Sequence, residues 1–203
     1  MSTADFALVR HAATYWNQEK RIQGHWDSEL SPEGAAEAAR FAETLAGLGL
    51  SRILVSDLTR AKVTAGIFNV RLKLPMTMDR GLREQKFGDW TGKCVADLRG
   101  RGLEEQVALG WDFRPPGGES RDEVFGRAER TLVEAARHWP GKKILTVTHE
   151  GVIKALVYRL LGRDYLPGEA KVLKPGCLHW VGVREGRLVL GDINVALEPG
   201  VRG

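Results

Sequence analysis

Short continuous apolar runs alternate along this chain with longer, capped segments. Phe6-Ala-Leu-Val9, Arg52-Ile-Leu-Val-Ser56 and Ile144-Leu-Thr-Val-Thr148 have the pattern of strands buried on both faces. Helix signals stand between them. Ser31-Pro32-Glu33 pairs a capping serine with a first-turn proline and predicts a helix to about Leu45, stopping near Gly47. Leu58 to Asn69 reads as a second helix. Ser120-Arg-Asp-Glu123 is a capping box that opens a long helix to about Trp139, ended by Pro140-Gly141. Val152 to Leu161 reads as the next helix, and 177–183 with 187–192 as a closing hairpin over Glu185-Gly186. Residues 71–92 look irregular with room for short strands, 94–112 look helical in pieces, and Pro115-Pro-Gly-Gly118 is a firm break.

Strands alternating with helices predict a three-layer α/β/α domain with a mostly parallel central sheet. Ligands of such sheets bind at the carboxyl ends of the strands. The segment from about 71 to 120 is too long for a simple loop and is expected to form a small cap over that edge. The 203 residues suit one domain spanning 1–203. No apolar run approaches the ~18 residues of a membrane span, and the N-terminus lacks a basic region followed by an apolar one. Cys94 and Cys177 form no Cys-x-x-Cys pattern. A cytoplasmic protein with free thiols is therefore expected, with no membrane partner. The net charge of +4 is scattered rather than gathered in a Lys/Arg run, so nucleic acid is not the expected partner. The arginines suit a small phosphorylated substrate, because a planar guanidinium grips phosphate with two prongs.

The chemistry-bearing residues fall at the strand ends. The first strand delivers Arg10 and His11 into a loop; the strand through Thr148 delivers His149. Two imidazoles at one sheet edge, joined by the guanidiniums of Arg10 and Arg60, would make a phosphate site containing a nucleophile. A lone histidine here reads first as a satisfied strand-end residue; Arg10 beside His11, and His149 in the same setting, reverse that reading. His149 precedes a helix whose first amides favour an anion, and in protonated form it could donate to a phosphoryl oxygen. His149-Glu150 begins the zinc pattern His-Glu-x-x-His, but Ile153 stands at the second ligand position. Gly88 and Gly92 before Lys93-Cys94 do not make a P-loop. Phosphoryl transfer also needs an acid for the leaving oxygen. Glu84 is a candidate, although its segment alone reads first as a solvated loop and something beyond spacing is needed to choose it.

Several ordered blocks decide among these readings. They are Leu8-Val-Arg-His11 with Asn17; Arg21-Ile-Gln-Gly24 with Asp27 and Leu30-Ser-Pro-Glu-Gly34; Ser56-Asp-Leu-Thr-Arg60-Ala with Thr64-Ala65; Leu82-Arg-Glu84 through Phe87-Gly-Asp-Trp90 and Gly92; and Val147-Thr-His149 with Gly151-Val-Ile153. In this order they resemble the histidine phosphatase superfamily, which includes the cofactor-dependent phosphoglycerate mutases. The resemblance implies that His11 is phosphorylated, that Arg10, Arg60 and His149 hold the phosphoryl oxygens, and that Glu84 donates the proton. It further implies substrate contacts from Asn17, Gln23, Gly24 and Glu150, and no metal or organic cofactor. Three positions depart from the family pattern: Ala12 replaces a glycine, Ala13 a Glu or Gln, and Glu150 a glycine. Glu150 would add negative charge beside a dianionic substrate.

The acid block reads Glu84-Gln-Lys-Phe-Gly88, without the arginine that follows the acid in the mutases. Arg114-Pro-Pro-Gly-Gly-Glu-Ser120 resembles the phosphatase branch. The expectation is a metal-independent phosphomonoesterase acting on small metabolites. A phosphoglycerate mutase is the runner-up, and a phosphoprotein-binding module without turnover is an alternative of another class. His25 and Trp26 are expected at the site rim, His138 near a helix end and His179 in a structural role. Oligomeric state is open, a homodimer included.

Overall fold

The computed structural model describes residues 3–197. The chain runs β1 (Ala4–Arg10), α1 (Tyr15–Gln18), α2 (Pro32–Ala46), β2 (Arg52–Ser56), α3 (Thr59–Leu72), β3 (Met76–Asp79), α4 (Val95–Leu98), α5 (Leu103–Val107), α6 (Arg121–His138), β4 (Lys143–Thr148), α7 (Glu150–Leu160), β5 (Cys177–Arg184), β6 (Arg187–Leu190) and β7 (Val195–Ala196). The caps lie where the sequence put them. Ser31 Oγ accepts from the Gly34 amide at the start of α2, and Ser120 and Glu123 form the reciprocal box of α6.

The sheet order is β3-β2-β4-β1-β5-β6, with β7 beside β5. β3, β2, β4 and β1 are parallel; β5 pairs antiparallel with β1, β6 and β7. The two-residue strand period sorts the core. Phe6, Leu8, Leu54 and Ile144 pack against α6 and α7 through Val124, Leu132, Val152 and Leu156. Ala7, Val9, Ile53, Val55, Leu145 and Val147 pack against α2 and α3 through Phe41, Leu45, Ala61 and Phe68. Both faces of the central strands are buried, which is why those runs are continuously apolar. Among the described residues no helix is long and apolar enough to cross a membrane.

The parallel register brings the ends of β1, β2 and β4 to one edge, and the His11 amide extends the ladder with a 2.9 Å bond to the Thr148 carbonyl. A third cluster of Trp90, Leu98 and Phe113, joined by Phe87 and by Ile22 from the segment between β1 and α2, gives residues 87–113 a small core of their own. Gly88 is required there. Its φ is +50°, and a Cβ would lie 2.0 Å from the Pro116 carbonyl oxygen. The expected cap boundary at 71 moves: residues 71–72 finish α3 and 76–79 pair with β2, so the excursion from the sheet begins at Arg80. The expected single domain of 1–203 includes residues 1–2 and 198–203, which lie outside the described residues.

Candidate active site

His11 sits one residue beyond β1, only 6% exposed. Its Nδ1 lies 2.8 Å from the Ala12 carbonyl oxygen, and the Nε of Arg60 donates to its Nε2 at 3.2 Å. A carbonyl can only accept and a guanidinium can only donate. The proton is therefore on Nδ1, and Nε2 presents a lone pair. Burial, then the charges of Arg10 and Arg60, push the imidazole well below its ordinary pKa, against a smaller opposing effect of the Ala12 carbonyl. His11 is a neutral base held in one tautomer.

Arg60 belongs to the first turn of α3 and is 1% exposed. Besides Nε, its Nη1 donates to the Trp26 carbonyl and its Nη2 to the Gly24 carbonyl, each at 2.8 Å. Asp27 is the carboxylate partner at 3.4 Å. Gly24 thus holds the arginine through its backbone. Thr64 Oγ1 accepts from the Ala12 amide and donates to the Arg60 carbonyl, joining the two loops beneath the site. Gln23 is buried, and its Oε1 has no partner among the described residues. A buried unpaired amide oxygen costs roughly 1–3 kcal/mol. Asn17 Oδ1 accepts from the amide and hydroxyl of Thr14, which leaves the amide nitrogen as its remaining polar group.

His149 is fully buried, its ring centroid 5.1 Å from that of His11. Its Nε2 is 2.8 Å from Ser56 Oγ, while Nδ1 is buried without a partner among the described residues. Burial first, then His11 and the arginines 60, 127 and 10, hold its pKa well below the ordinary value. These effects disfavour the protonated form of His149.

Glu84 lies in an irregular loop and needs several anchors. Its carbonyl accepts from His25 Nε2 at 2.9 Å and from Arg127 Nη2 at 3.0 Å. The same guanidinium binds the Gly81 carbonyl at 2.7 Å and makes a two-pronged pair with Glu119 at 2.7 and 3.0 Å. Gln85 Nε2 adds a 2.6 Å bond to the Glu119 carbonyl. The Glu84 carboxyl accepts from the Gln85 amide at 2.8 Å and from the Gly151 amide, in the first turn of α7, at 3.3 Å. The structure thus places the carboxyl of Glu84 against the helix that follows His149.

Glu150 does not stand as uncompensated negative charge. Its Oε2 is 2.6 Å from Arg10 Nη1, and its other oxygen pairs with Lys154. Burial raises its pKa, but Arg10 and Lys154 outweigh this and the net shift is downward. Of the bland assignments, Trp26 is exposed, His138 bonds the Glu134 carbonyl in the last turn of α6, and His179 accepts from the Asn194 amide. Burial pushes His179 down to about 4. Both cysteines are free. Sequence reasoning missed Arg127, Glu119 and the positioning part of His25. Thr64, Ser56 and Asp27 stood inside quoted blocks without roles; Arg127 had no spacing signal at all.

This constellation can receive a phosphoryl group: a neutral nitrogen nucleophile, two guanidiniums, a second imidazole and a carboxyl at one strand edge. Comparison with known proteins is in keeping with that chemistry. The pattern of the histidine phosphatase superfamily (branch 1) matches residues 6–196. Phosphoglycerate mutase-like protein 4 of Arabidopsis thaliana is 37% identical over 162 residues, covering 77% of this chain and 70% of that protein. The solved mycobacterial glucosyl-3-phosphoglycerate phosphatase, in complex with VO3, superposes with a TM-score of 0.78 at 29% identity, covering 97% of this chain and all of that one. The α-ribazole phosphatase of Shigella flexneri gives 0.78 at 26% identity, covering 98% of this chain and all of its own.

Proposed function

This chain belongs to the histidine phosphatase superfamily, and from that membership we propose that it hydrolyses small phosphomonoesters through a phosphohistidine on His11. The observation that carries the reading is the tautomer of His11, with its Nε2 lone pair beside Arg60 Nε. That N–H occupies the nucleophile's lone pair. A bound phosphoryl dianion offers Arg60 a better acceptor and so releases the lone pair for attack. Nε2 then bonds to phosphorus as the ester P–O bond breaks, and Glu84 passes its proton to the departing alcohol oxygen. In the second half, the Glu84 carboxylate takes a proton from water as that water attacks phosphorus. The N–P bond breaks, phosphate leaves, and both residues return to their starting states. Arg10, Arg60 and His149, with the amide nitrogen of Asn17, stabilise the charge on the phosphoryl oxygens.

Rapid quench with a phosphorus-labelled ester should trap an acid-labile, base-stable phosphoenzyme, with turnover unchanged by EDTA. Turnover abolished by EDTA and restored by a divalent ion, with no trapped species, would overturn the proposal.

The anchoring of Glu84 gives a second expectation. Arg127→Lys keeps the charge but cannot bind Gly81, Glu84 and Glu119 at once. It should slow alkyl phosphates about tenfold or more while p-nitrophenyl phosphate, whose leaving group hardly needs a proton, changes little. Uniform slowing across both esters would argue that Arg127 only supports the fold.

The phosphoglycerate mutase-like name of the Arabidopsis relative keeps a mutase reading in view. Against it, Gln85 follows the acid and its side chain is spent on the Glu119 carbonyl. Phosphorus NMR of 3-phosphoglycerate with 2,3-bisphosphoglycerate should show inorganic phosphate outpacing 2-phosphoglycerate. The opposite order would make the chain a mutase.

A further inference from the structure

The sheet divides beside the candidate site. β1 and β5 pair from Ala4↔Val183 to Leu8↔His179, and there the pairing stops. The first residues of β5 turn to β7 instead, with Cys177↔Ala196 and Leu178↔Val195. The end of β1 thus loses its neighbour on that side. In the gap lies a cavity of about 400 Å³ that reaches both layers of the fold. Phe41 walls it from the α2 side, Ile153 and Tyr158 from the α7 side, and Leu173 and Cys177 from the chain entering β5. His11, Arg10, Asn17 and Glu150 line it as well, so it is continuous with the phosphoryl crevice. Its volume lies within the ~300–1,000 Å³ of small-molecule sites and far above the ~30 Å³ share of one water.

We propose that this cavity binds the flexible apolar chain of an alkyl phosphomonoester substrate; the inference rests on the phosphatase reading of the same site. Two observations select that occupant. Most of the lining surface is apolar, although Glu37, Lys154, Lys171 and Lys174 also stand among the walls, so burial there rewards removal of methylenes from water. Glu84, Arg60 and His149 are not among the walls. An ester oxygen protonated by Glu84 therefore lies outside the cavity. The Glu84 carboxyl accepts from the amide of Gly151, and the residue before it, Glu150, pairs with Arg10 at the cavity wall. A chain of sp³ carbons can turn over that ion pair, whereas a rigid ring fixed to the ester oxygen cannot. The cavity thus selects by length and flexibility, while the charged mouth tolerates polar groups near the ester.

The test uses ethyl, butyl and hexyl phosphate with the full-length chain, and the matching alkylphosphonates as non-hydrolysable ligands. Beyond the first carbons, kcat/KM and phosphonate affinity should each rise by about three- to fourfold per methylene. Cyclohexylphosphonate should bind no better than ethylphosphonate. Cys177→Phe and, independently, Leu173→Phe fill the cavity and should flatten both series; circular dichroism checks that each variant is folded. A flat wild-type series with hydrolysis intact, or a slope that survives in either folded variant, would overturn the cavity assignment and leave the phosphatase reading standing. Hydrolysis of no ester in the series, or hydrolysis retained in His11→Ala, would instead defeat the phosphatase reading.

Discussion

His11→Ala is expected to remove turnover by on the order of 10³ to 10⁶ and to leave the fold intact. The rate follows from the loss of the neutral nitrogen whose lone pair faces Arg60. His149 is not placed to take over as nucleophile, because its Nε2 lies against Ser56 Oγ rather than against Arg60 Nε. Stability is a separate matter, since His11 is buried rather than loop-exposed. The substitution withdraws one acceptor from Arg60, which keeps the carbonyls of Gly24 and Trp26. A cost of about 1–2 kcal/mol is small against the ~5–15 kcal/mol that holds a domain together. Initial rates on an alkyl phosphate, paired with a thermal melt, separate the two effects. A folded variant retaining a tenth of the rate would rule out the nucleophile role. The wild type carries a related signature. Burial and two guanidiniums lower the His11 pKa, so the nucleophile stays unprotonated as pH falls through ~6.5. The acid limb of kcat/KM that belongs to this group should lie below that point.

Much of this was legible because it rests on local rules. Strands covered on both faces must be continuously apolar, and each such run could be followed to the residue that leaves the sheet, whether His11 or His149. Ser31 and Ser120 announce their helices through chemistry confined to three or four residues. What escaped depends on contacts between distant segments. β3 is an edge strand with an exposed Met-Thr-Met sequence and no apolar alternation to betray it. β7 is a two-residue strand defined wholly by its pairing with β5. Glu84 stands in backbone without period, and only family resemblance singled it out. Its supports come from Arg127, 43 residues later, and His25, 59 residues earlier. Glu150 reads as added negative charge in the sequence; Lys154, one helical turn on, is a partner that local spacing could have found, whereas Arg10 is brought to it only by the fold.

Gly151→Ala should stabilise the protein and impair it at once. Gly151 lies in the first turn of α7, where alanine is favoured over glycine by up to ~1 kcal/mol. The added Cβ would lie 2.3 Å from Glu84 Oε1 and 3.3 Å from Cδ. Atoms cannot approach so closely, and the cheap response is a swing of the carboxyl, because it is the tip of a side chain rather than backbone. The loop stays where His25, Arg127 and Glu119 hold it, so the acid is displaced while its anchors remain. A shift of an ångström or so suffices to break in-line proton delivery, and positioned acid catalysis is worth ~10²–10⁴. The melting temperature should therefore hold or rise. Turnover of hexyl phosphate should fall about a hundredfold or more, and that of p-nitrophenyl phosphate much less. Glu84→Gln supplies the reference, since it removes the proton without moving the group. If Gly151→Ala turns over hexyl phosphate within about threefold of wild type while Glu84→Gln does not, the acid acts from another rotamer than the one seen here. If neither variant loses rate on hexyl phosphate, Glu84 is not the proton donor.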